Sequence, residues 1–123
     1  YGTTPRTKSG TMFERGDLLL VPFPFSDLSA TKRRPVLALT EPDRYGDFIA
    51  IPVTSRPQAE HGVPLTAADL VRGALPAPSW IRTDRIVTLN SSLVVKSVGR
   101  VAERVVTAAV ERFCAHIGLA KSK

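Results

Sequence analysis

Lys32-Arg33-Arg34 stand together in front of Pro35, and a second polar group, Thr54-Ser55-Arg56, closes a later apolar run. The proline biases Arg34 toward extended backbone, which limits the directions in which its guanidinium projects. Two guanidiniums and an ammonium on one segment, with hydroxyl donors on another, could hold a phosphate bidentately and offset charge developing on an oxyanion. An ordinary basic hairpin loop has the same composition, and spacing alone favours that plainer reading. The rest of the chemical inventory is thin. His61 lies in a Gly/Pro loop, and His116 sits on a helical segment far from it in pattern, so no metal pair is expected. Cys114 has no neighbour that would make it a thiolate nucleophile and reads as a buried small hydrophobe. Walker, GxGxxG and GxSxG patterns are missing from the sequence.

These residues must be positioned by a small scaffold. A chain of 123 residues with 43% hydrophobic content fits one compact domain. A single cysteine cannot form an internal disulfide, and no Cys/His spacing suits zinc, so a reducing, cytoplasmic setting is expected, without metal or cofactor. No apolar run approaches a membrane span. Residues 1–11 are polar and aperiodic and precede the only methionine, Met12; they read as a foreign tail, with a single domain over 12–123. Without Arg6 and Lys8, 15 cations face 11 acids, and the formal charge falls from +6 to +4. That balance favours polyanion contact without establishing it.

The pattern after Met12 is mostly strand-like. Residues 18–25 form an apolar run ending in two prolines, 26–34 a polar loop carrying the cations, and 36–39 a second strand. Turn signals at Glu41-Pro42-Asp43 and Tyr45-Gly46-Asp47 lead into a third strand over 48–53. A short strand is expected at 63–66, one helical turn over 67–72 ended by Gly73, one long strand over 80–89 and another over 93–101. Val101, Val105, Ala109, Phe113 and Ile117 recur every four residues, which predicts an amphipathic helix over 103–119. The expected fold is mostly β with α: a small β-barrel or curved antiparallel sheet with a long C-terminal helix.

Taken in order, Arg15-Gly16-Asp17 before an apolar strand, Arg33-Arg34-Pro35-Val36-Leu37, Ile51-Pro52-Val53-Thr54-Ser55 and the 80–89 segment WIRTDRIVTL resemble the MazF/PemK (Kid) family of toxin endoribonucleases. The resemblance spans nearly everything after Met12. The first loop reads Ser29-Ala30-Thr31-Lys32, closer to the PemK-like branch than to members with a Glu-Gln-x-Gly loop. It implies an SH3-like barrel, usually homodimeric, that cleaves single-stranded RNA without metal. The substrate's 2′-hydroxyl is the nucleophile, and the products carry a cyclic phosphate and a free 5′-hydroxyl. It also implies a cognate antitoxin whose disordered acidic tail covers the RNA groove.

Carried over by position, Arg34 and Thr54 are the catalytic candidates. Arg34 would hold the scissile phosphate and stabilise its pentacoordinate transition state; Thr54 would hydrogen-bond a nonbridging oxygen. A guanidinium stays protonated near neutral pH, so Arg34 suits electrostatic stabilisation better than proton abstraction. Lys32, Arg33, Ser55, Arg56 and Arg82 are candidate RNA contacts, and Asp84 could read a base edge, each against the plainer alternative of a solvated surface residue. Trp80 could stack a base or anchor the start of its strand. Two other functions fit the same fold: a gyrase poison that catalyses nothing and acts through its C-terminal helix, and an inactive RNA-binding module. The Arg34/Thr54 pair, necessary to the nuclease and useless to a poison, favours the nuclease over the poison; the RNA-binding module would give salt-sensitive binding with intact RNA.

Overall fold

A computed structural model describes residues 12–23, 32–57 and 60–119. Among these residues are eight strands and one α-helix: β1 (Asp17–Phe23), β2 (Lys32–Ala38), β3 (Asp47–Thr54), β4 (Gly62–Leu65), β5 (Leu70–Gly73), β6 (Ser79–Arg82), β7 (Val87–Asn90), β8 (Lys96–Val101) and α1 (Glu103–His116). Every pairing is antiparallel, in the order β4-β6-β3-β2-β1-β8-β5, with β7 also paired to β3. The result is a mostly β fold, a curled antiparallel sheet closed by one C-terminal helix.

Side-chain alternation explains the unbroken apolar run of β1. Leu18 points to the face that α1 covers, packing in one cluster with Leu37, Ile51, Ile81, Val106 and Ala109. Leu19 and Val21 point to the opposite face and join Phe13, Val36, Phe48 and Ala50. Leu18, Leu19 and Val21 are all fully buried, so this stretch of β1 is covered on both faces and carries no polar residue. Buried Asp17 fastens the sheet's other end: it accepts hydrogen bonds from Arg100 Nε at 2.9 Å and Arg72 Nη2 at 3.3 Å, joining β1, β8 and β5. Gly73 closes β5 at a φ of +79°, and a Cβ there would overlap the Val98 carbonyl oxygen.

Several local expectations give way. Lys32, Arg33 and Arg34 lie on β2, paired through their Cα positions with Phe23, Pro22 and Val21, and not in a loop. The long strand expected over 80–89 is two strands, β6 and β7, separated by a turn in which Arg85 N–H donates to the Arg82 carbonyl at 3.2 Å. The turn lets one stretch of chain pair with two regions of β3: β6 with Val53 and Thr54, β7 with Asp47 through Ala50. The helical turn expected over 67–72 is a 3-10 turn at Ala67–Asp69 followed by β5. Strand β8 begins only after a second 3-10 turn at Ser91–Leu93. The final helix stops at His116; Phe113 is only half-buried and Ile117 is exposed. Residues 1–11 and the first-loop residues Ser29, Ala30 and Thr31 lie outside the described residues. No described helix is long and apolar enough to cross a membrane.

Candidate active site

Strand β3 ends in a cleft, and its last residue brings a hydroxyl there. Thr54 Oγ1 accepts a hydrogen bond from Arg56 N–H at 3.1 Å, a local turn that orients the hydroxyl and leaves its O–H to donate elsewhere. Across the ladder, Thr54 pairs with the half-buried Trp80 of β6. From the other side β2, hydrogen-bonded to β3, supplies Arg34. The strand thus sets the direction of Arg34 more firmly than a loop would.

Arg34, Thr54, Arg56, Arg82 and Arg85 converge on a cavity of about 250 Å³ that Pro52 and Val53 also line. Arg34 is half-buried; it has contacts within the fold, and its Nε is a buried donor with no acceptor among the described residues. Arg82 is held by Asp84 through two parallel hydrogen bonds, Nε to Oδ1 at 2.9 Å and Nη2 to Oδ2 at 2.7 Å. Hydrogen bonding to Arg82 holds the Asp84 carboxyl below the ordinary carboxylate range, against an opposing push from burial; nearby His61 adds to the lowering. The same pairing raises Arg82 above the usual guanidinium value, again against burial. Both side chains are therefore charged across the neutral range.

Of the residues expected to meet RNA, Arg56 and Arg82 reach the cavity beside Arg34 and Thr54. Asp84 stands behind Arg82 as its partner, with the carboxylate oxygens already engaged. Arg33 and Ser55 are exposed and do not line the cavity. Lys32 falls on β2, with its backbone opposite Phe23. Arg85 also lines the cavity, and nothing in the sequence distinguishes it from other arginines.

The two histidines, expected to be far apart, touch. Their ring centroids are 4.7 Å apart at an interplanar angle of 66°, an edge-to-face contact joining the segment before β4 to the end of α1. Thr83 holds His61 in place, donating from both N–H and Oγ1 to the His61 carbonyl. Among the described residues no group of three His, Cys, Asp or Glu side chains gathers as a metal site requires. Cys114 is partly exposed rather than buried.

A family model described as PemK-like, MazF-like toxin of type II toxin-antitoxin system matches residues 14–117. No curated protein sequence matches the chain significantly. Solved structures resemble it over nearly their whole length. A MazE-MazF complex from Deinococcus radiodurans superposes with a TM-score of 0.66 at 20% identity, covering 96% of this chain and 99% of that one. An endoribonuclease in complex with its cognate antitoxin from Mycobacterial species gives 0.68 at 17% identity, covering 89% and 99%. The Mycobacterium tuberculosis toxin MazF-mt6 gives 0.66 at 19% identity, covering 85% and 99%.

Proposed function

The chain belongs to the PemK-like, MazF-like toxins of type II toxin-antitoxin systems, and from that premise we propose that it is a sequence-selective endoribonuclease cutting single-stranded RNA, chiefly messenger RNA, at the Arg34/Thr54 cavity. The observation that carries the reading is the convergence of Arg34, Thr54, Arg56 and Arg82 from three different segments onto one cleft. The structural relatives that are endoribonucleases lend support at the level of the fold.

The chemistry asks for little beyond positioning and charge. The 2′-hydroxyl oxygen attacks the adjacent phosphorus, the bond to the 5′-oxygen breaks, and a 2′,3′-cyclic phosphate and a 5′-hydroxyl result. Extra negative charge gathers on the nonbridging oxygens in the transition state, where a fixed guanidinium and a hydroxyl donor are most effective. Arg34 supplies the first and Thr54 the second. Arg82, fixed by Asp84, adds a second guanidinium whose orientation does not have to be found anew for each substrate. Nothing in this scheme requires a metal.

The toxin is neutralised by a cognate antitoxin. An acidic, disordered antitoxin tail complements a cleft lined by four arginines, and the similar MazE-MazF complexes support such a partner. A homodimer is the proposed working assembly. Incubating an unstructured RNA with the protein in excess EDTA tests the reading. Discrete cuts bearing cyclic-phosphate ends are expected; intact RNA would refute it and redirect attention to gyrase binding.

A further inference from the structure

Two arginines share the turn between β6 and β7, and their circumstances differ. Arg82 is committed to Asp84 by two hydrogen bonds. Arg85 is exposed on the same cavity, and among the described residues its guanidinium has no ion-pair or hydrogen-bond partner. Its backbone is nevertheless well placed: Arg85 N–H closes the turn on the Arg82 carbonyl, and both flanking strands are paired to β3, the strand that delivers Thr54. Among the described residues Arg85 is thus a cation without a side-chain partner, on the turn between two strands that pair with the one carrying the hydroxyl.

A single phosphodiester carries one negative charge, and in the endoribonuclease reading that phosphate is held by Arg34 and Thr54. A further guanidinium on the same cavity, with no carboxylate beside it among the described residues, is placed to take a neighbouring anion. Single-stranded RNA supplies one at each neighbouring nucleotide. We infer that Arg85 binds the phosphate flanking the scissile one and so fixes the register of the strand across the cavity, an inference that rests on the endoribonuclease reading. It contributes mainly to binding, since the flanking phosphate gains no charge in the transition state.

The test compares wild-type protein with Arg85→Ala and Arg85→Lys, using an RNA oligonucleotide that contains one mapped cleavage site. Affinity is measured over a series of salt concentrations on the same RNA carrying a 2′-deoxy sugar at the attacking nucleotide. Losing one phosphate contact should lower the slope of log affinity against log salt by about 0.7. In Arg85→Ala, kcat/KM should fall about tenfold, the worth of one charge-assisted contact, with most of the loss in KM. Arg85→Lys should keep the wild-type salt slope. An unchanged slope in Arg85→Ala, beside a wild-type protein that cleaves, overturns the inference and leaves the endoribonuclease reading standing. A wild-type protein that neither binds nor cleaves RNA overturns both.

Discussion

Arg82 and Asp84, two residues apart, face each other across the start of the turn that divides β6 from β7, joined by hydrogen bonds of 2.9 and 2.7 Å. The fork fixes a cavity guanidinium at the place where the chain changes its partner region on β3. Asp84→Asn keeps the shape but removes the charge. Cleavage should fall about tenfold as Arg82 loses its orientation, read as kcat on a mapped RNA site.

The same pair sets a pH dependence. Asp84 has a folded-state pKa below its ordinary value, so its contribution to stability is complete above the ordinary value. It fades as pH falls through the lower folded-state value. Denaturant unfolding from pH 7 to pH 2 should therefore show wild type more stable than Asp84→Asn near neutrality, with the gap closing below about pH 4. A gap independent of pH would contradict the ion-pair account.

Thr54 uses its oxygen as an acceptor from Arg56 N–H, leaving the O–H for the substrate. Thr54→Val removes both bonds at nearly constant shape. It should lower kcat about tenfold to a hundredfold while Tm stays within a few degrees, because the residue is half-buried at a strand end.

Gly73 tests the edge of the sheet rather than the site. Its positive φ and its approach to Val98 leave no room for a Cβ. Gly73→Ala should cost about 2–3 kcal/mol in thermal or denaturant unfolding. Asp17→Ala should cost about 3 kcal/mol, since it strips the buried partner from Arg100 and Arg72.

Much of this was legible in the sequence. The apolar run of β1, the turn-bounded β3 and the helix predicted from the four-residue repeat are all present with small changes of boundary, although the last members of the repeat, Phe113 and Ile117, are half-buried and exposed. Arg34 and Thr54 came from a resemblance in motif order, which the spacing of cations alone would not have supplied. The turn at Thr83-Asp84-Arg85 was hidden because Ile81, Ile86 and Val87 keep the segment strand-like across the break, and the reason for the break, two partner regions on β3, is tertiary. Lys32-Arg33-Arg34 reads as a loop because charged runs usually are; the strand carries them with Arg33 exposed and the half-buried Arg34 lining the cleft. The His61–His116 contact joins segments distant in sequence, and no local pattern encodes it.

The most direct test of the central claim is single-turnover cleavage of a mapped RNA site in excess EDTA, with wild type beside Arg34→Ala and, as a control, Arg44→Ala, whose side chain stacks on Tyr45 in the turn before β3. Wild type and Arg44→Ala should give the same discrete cut with a cyclic-phosphate end, and Arg34→Ala should be slower by about a hundredfold to a thousandfold. Equal rates in Arg34→Ala and wild type would contradict the account.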